Sequence, residues 1–159
     1  MNRPLILAVL LAATLAAPMA QAVDLSLDLN LASVHTEQWA RDSLNQRNEG
    51  LGLTAQLDPA WSLSVGEYRN SYRRTSAYAL AAWTPLHIPL GAWQVSAGGE
   101  AGLVSGYRRS EVASQPVMGA GLLRVIAPSH WSLDLTAVPN APGRRSGFVG
   151  VQLSLPLTR

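Results

Sequence analysis

From Asp24 to Leu31 the chain alternates strictly, with Leu25, Leu27, Leu29 and Leu31 on one side and Asp24, Ser26, Asp28 and Asn30 on the other. An amphipathic helix would bring its apolar residues back at three and four, so a period of two predicts a strand. The pattern recurs along the chain. Leu51, Leu53, Ala55 and Leu57 alternate with Gly52, Thr54 and Gln56, and Trp61, Leu63 and Val65 with Ser62, Ser64 and Gly66. Trp93 to Leu103, Trp131 to Ala137 and Val149 to Leu157 do the same. Two weaker segments, near 76–85 and 116–126, complete eight. Eight short strands with Leu and Val on one face and small or polar residues on the other predict an all-β fold, an eight-stranded antiparallel transmembrane β-barrel. At that strand number the interior is filled by side chains or holds one small ligand.

The connections alternate in length. Asp58-Pro59, Pro85 to Gly91 and Ala127 to Ser129 read as short turns; 36–47, 71–75, 105–115 and 139–146 read as longer loops at the opposite end. Trp61, Trp83, Trp93 and Trp131 all fall beside the turns, as an interfacial aromatic belt would. A soluble barrel of the lipocalin kind would hide its apolar side chains inside and show no such girdle. Continuing the same parity to the loop end puts His35 and Ser71 on the outward, odd phase. The spacing between strands then separates their backbones by roughly 10 Å, because a second strand lies between them.

Composition narrows the class. Residues 1–22 read as a secretory signal: Arg3, an apolar run from Leu5 to Ala17 too short to span a bilayer, and an Ala20-Gln21-Ala22 cleavage site. Residues 23–159 form the barrel domain, with no second apolar run for a membrane helix. There is no Cys, which excludes disulfides and thiolate metal sites, and the three His have no metal-ligand spacing, so no metal and no cofactor are expected. All twelve basic residues are Arg, and nine of them (41, 47, 69, 73, 74, 108, 109, 144 and 145) lie in or beside the longer loops. Guanidinium forks grip phosphate bidentately. For a barrel exported to an outer membrane that favours lipopolysaccharide over nucleic acid.

A His and a Ser at the loop end, His35 and Ser71, are a minimum kit for acyl transfer. On residue types and spacing alone, a solvated rim His and an ordinary Asn-Ser turn are the favoured reading. Arg69-Asn70-Ser71-Tyr72, the following Ala77 to Pro85, Val138-Pro139, and Ser33-Val34-His35 together give a more specific pattern. In order and spacing they resemble PagP, the family of outer-membrane lipid A palmitoyltransferases. The resemblance implies His35, Asn70 and Ser71 as catalytic positions, with Asn70 where the family has Asp. It places Ala82 at the family's glycine floor of the acyl pocket, where an added methyl would shorten it. It implies Pro116 and Pro139 as the borders of a lateral gap admitting lipid. Small inward residues, Gly66, Ala82 and Gly98, would leave room for the chain.

The expected activity is thus transfer of a palmitoyl or similar chain from a glycerophospholipid donor to lipid A, by a monomer in the outer membrane. Arg69, Arg73, Arg74, Arg108 and Arg109 would bind substrate phosphate. The alternatives are a lipid A deacylase and a non-enzymatic barrel that binds lipopolysaccharide through its loops.

Overall fold

A computed structural model describes residues 23–112, 114–140 and 146–158. Residues 1–22, where a secretory signal is expected, and Arg144 and Arg145 lie outside them. Eight strands follow in order: β1 (Asp24–His35), β2 (Arg47–Gln56), β3 (Trp61–Arg69), β4 (Thr75–Leu90), β5 (Trp93–Val104), β6 (Val117–Ile126), β7 (Ser132–Val138) and β8 (Phe148–Pro156). Each pairs antiparallel with the next, and β8 returns to β1, closing the barrel. Closure gives every strand a neighbour on both sides. One short helix, α1 (Gln38–Ser43), lies in the first loop. Six residues are too few for a periodic signal, and the sequence pattern did not foretell it. No helix among the described residues is long and apolar enough to cross a membrane.

The outer surface carries the Leu and Val of the alternating pattern, with Leu51, Leu53, Leu63, Leu103 and Val117 all exposed. The Trp residues beside the turns meet in pairs on that surface. Trp61 stacks on Trp83 at 6.1 Å between ring centroids, and Trp93 meets Trp131 edge-on at 5.4 Å.

Two bulges shift the register, and each reverses which parity faces in. The first lies between Asn30 and Ala32 in β1, in its pairing with both neighbours. Beyond it Val34 points out, 60% exposed, and His35 points in, 3% exposed. The outward phase expected for His35 is therefore wrong. The second bulge lies between Trp83 and Leu86 in β4. It corrects the expected Pro85 to Gly91 turn: β4 continues to Leu90, and the chain reverses at Gly91, whose φ of 62° suits glycine. Pro85 has no N–H to give a ladder, and a bulge is where a strand tolerates that.

The space expected at two glycines is already filled. A Cβ on Gly66 would come within 2.6 Å of the Tyr78 hydroxyl, and one on Gly98 within 1.9 Å of the Trp83 carbonyl at the bulge. Gly66 thus makes room for a tyrosine and Gly98 for a kinked backbone. Of the three small residues, Ala82 alone lines the interior cavity.

Candidate active site

The site is built where three segments meet at the loop end. The turn between β3 and β4 is organised by Asn70. Its backbone N–H donates to the Arg74 carbonyl, and the Arg73 N–H donates back to the Asn70 carbonyl. The Asn70 Oδ1 accepts the N–H groups of Tyr72 at 2.9 Å and Arg74 at 3.1 Å. Such side-chain-to-backbone bonds hold turns that the backbone alone would not. They also support Arg73 at a φ of 60°, a left-handed conformation that is uncommon for any residue but glycine.

This turn presents Ser71 to the interior. Its Oγ lies 3.3 Å from the Nε2 of His35. Both residues are buried, Ser71 at 7% exposure. Two features bring them together across the intervening strand. The β1 bulge turns the imidazole inward, and the Ser71 carbonyl is docked on the segment leading into β2 by the Asn45 N–H at 2.8 Å. Inward-leaning side chains then bridge the interstrand gap over β2.

The imidazole is held on its other side. His35 Nδ1 lies 3.1 Å from the Oε1 of Gln46, which also accepts the His35 backbone N–H at 3.2 Å. The Gln46 Nε2 donates to the carbonyls of Ala40 and Leu44 at 3.2 and 3.3 Å. Arg41 donates to the carbonyls of His35 and Thr36, at 2.9 and 2.5 Å, and so fastens α1 to the end of β1. Phe148, opposite His35 on β8, packs its ring at 5.6 Å.

Below Ser71 the barrel encloses a cavity of about 130 Å³. Its upper walls include Tyr68, Val104, Met118, Val138 and Phe148. Toward the turn end it meets a polar plug. Arg124 grips Asp134 with Nε at 3.0 Å from both carboxylate oxygens and Nη2 at 2.7 Å from Oδ2, and its Nη1 donates to Gln56 at 3.1 Å. Asp28 accepts the hydroxyls of Thr54 and Ser154, each at 2.6 Å.

One wall is incomplete. β5 pairs with β6 from Leu103↔Val117 onward, but β6 pairs with β7 only from Gly121 to Ile126. The β6–β7 register ends at Gly121↔Ala137, while the β5–β6 register runs four residues further along β6, to Val117. Pro116 stands just before this stretch, and Pro139 just after the end of β7. Met118, Gly119, Ala120 and Val138, which border the opening, also line the cavity.

The remaining expected site residues divide. Asn70 is fully buried, and its amide faces away from His35: Nδ2 donates to Ser76 at 3.0 Å and to the Gly106 carbonyl at 3.1 Å. Arg74 is likewise taken up in structure. It pairs with Glu111, donates to the Gly106 carbonyl at 2.8 Å and lies over the Tyr72 ring at 5.3 Å. Arg69, Arg73, Arg108 and Arg109 are exposed, and their guanidinium groups make no hydrogen bond or ion pair among the described residues.

Two residues had escaped the sequence reading. Gln46 is one; nothing in its neighbourhood marks it beyond a place eleven residues after His35. Tyr107 is the other. It lines the wall beside Ser71, and its hydroxyl meets that of Tyr68 at 3.2 Å. Burial pushes its phenol above the ordinary 10, so it stays a donor at neutral pH. The chain matches no family model and no curated protein sequence.

Proposed function

We propose that this barrel sits in an outer membrane and moves a palmitoyl or similar chain from a glycerophospholipid to lipid A. The observation that carries the reading is the 3.3 Å contact between Ser71 Oγ and His35 Nε2 at the mouth of an interior cavity. An apolar outer face with paired Trp residues supports the membrane setting. The resemblance to PagP supports the substrates.

In this reading the donor enters through the gap between β6 and β7, and its acyl chain lies in the cavity. His35 Nε2 takes the Ser71 proton as Oγ attacks the ester carbonyl. Tyr107 is placed to donate to the developing oxyanion. The lysophospholipid leaves with the proton from His35, and the acyl group stays on Ser71. A lipid A hydroxyl then gives its proton to His35 and takes the acyl group, restoring Ser71. The unpaired Arg69, Arg73, Arg108 and Arg109 face the phosphate-bearing acceptor.

The test is direct. Purified protein in vesicles of radiolabelled palmitoyl glycerophospholipid and lipid A should transfer label to lipid A. Ser71→Ala and His35→Ala should each remove at least about 100-fold of that rate. Lipid A shortened by an acyl chain, with no label transferred to it, would favour the deacylase. Full transfer by both variants would refute the assignment.

A further inference from the structure

The geometry points to Gln46 as the positioning residue that sets the tautomer of His35, making Nε2 the basic nitrogen that faces Ser71. This rests on the Ser71–His35 reading above and extends it to a third residue.

Gln46 Nε2 lies within hydrogen-bonding distance of two carbonyl oxygens, those of Ala40 and Leu44. Carbonyls only accept, so the amide end facing them must be the NH₂. Rotating the amide by half a turn would set an oxygen against both carbonyls and an NH₂ against the His35 backbone N–H. The Oε1 is therefore fixed on the His35 side, where that N–H already donates to it. An amide oxygen has no proton to give, so Nδ1, 3.1 Å away, must carry one. In the neutral ring Nε2 then has the free lone pair, and Ser71 Oγ–H donates to it across 3.3 Å. Two backbone carbonyls orient an amide, the amide orients an imidazole, and the imidazole receives the nucleophile's proton.

Gln46 does this without a charge. A carboxylate there would also stabilise the imidazolium that forms when Ser71 is deprotonated, and an amide does so only through its dipole. No other described acidic group is hydrogen-bonded to the His35 ring. The half-buried Glu37, next to α1, accepts the Trp39 indole N–H, and Glu111 is held by Arg74. The pH dependence of the reaction is thus tied to an imidazole whose Nδ1 partner is neutral.

The experiment uses the full mature barrel in detergent micelles or vesicles. Nitrogen NMR of ¹⁵N-labelled His35, at a pH where the ring is neutral, should find the proton on Nδ1 in the wild type. In Gln46→Met, which keeps side-chain length, that preference should be lost. The same variant should lose kcat by about 10²-fold with KM unchanged. Gln46→Glu should move the acidic limb of the pH–rate profile upward by about one pH unit, because the added negative charge favours the protonated ring. Heat-modifiable gel mobility checks that each variant is folded, and the Gln46→Glu profile stands if Gln46→Met does not insert. A wild-type His35 protonated on Nε2 would overturn the inference, as would full kcat in Gln46→Met or an unmoved limb in Gln46→Glu. Activity that survives Ser71→Ala and His35→Ala would instead sink the acyl-transfer reading, and the NMR result would still decide the tautomer.

Discussion

Asn70 shows how one amide shapes a site without touching the chemistry. Both halves of its side chain are committed, the oxygen to two N–H groups and the nitrogen to Ser76 and the Gly106 carbonyl. An ionised Asp would keep the first pair and set an oxygen against the Gly106 carbonyl, with Ser76 already donating to Ser105. Asn70→Asp should therefore lower activity by roughly 10-fold or more and lower thermal stability, since an unsatisfied buried polar group costs about 1–3 kcal/mol. Thermal melting and transfer rate at matched protein levels check both parts; a faster enzyme would mean that a carboxylate is wanted beside Ser71. Residue types pointed correctly to a Ser and a His at the same end of the barrel. They could not reveal Gln46 or the inward turn of Asn70, because those depend on which backbone carbonyls the fold places nearby.

At the scale of elements, two features bear on the proposed reaction. The first is the gap between β6 and β7. Ala120 and Val138 would be the next pair in register beyond Gly121↔Ala137, and both line the cavity. The chain has no cysteine of its own, so Ala120→Cys with Val138→Cys gives a clean bridge once the strands close. Oxidation should stop transfer and reduction should restore it, while a bridge at the paired Leu123 and Leu135 should leave the rate unchanged. Equal rates in both redox states would remove the lateral route. The second feature is the tie between the β3–β4 turn and the β5–β6 loop. Burial opposes the Glu111 charge, but bonds from Arg74 and the Arg108 N–H outweigh it and hold the carboxyl below its ordinary 4.5. The folded form thus prefers the charged group, and this contribution is complete above about pH 4.5 and fades as acid titrates the carboxyl below it. Proteolytic nicking of the loop should rise in that range, and Glu111→Gln should abolish the dependence. Both bulges left a mark in the sequence, where outward apolar residues switch from Leu31 to Val34 and from Trp83 to Leu86. Reading one parity straight through those switches is what misplaced His35.

For the whole molecule, strand number and order were legible because every strand keeps one face against lipid or solvent and the other inside. What filled the inside was not, since the pleat shows which residues face in but not which of them meet. The Arg124–Asp134 pair joins neighbouring strands beneath the cavity, and Arg124 reaches across to Gln56 of β2. Removing one partner leaves a buried charge alone, so Asp134→Ala should destabilise the barrel by about 3–5 kcal/mol, read as a lowered midpoint of heat-modifiable mobility. An unchanged midpoint would mean the plug is dispensable.

In the proposed reaction Ser71 carries an acyl group to lipid A. Mass spectrometry of lipid A from Gram-negative cells making the wild-type barrel or Ser71→Ala, at equal outer-membrane levels, tests it most directly. A lipid A species heavier by one acyl chain is expected with the wild type and none with Ser71→Ala. The same added chain in both strains, or in neither, would contradict it.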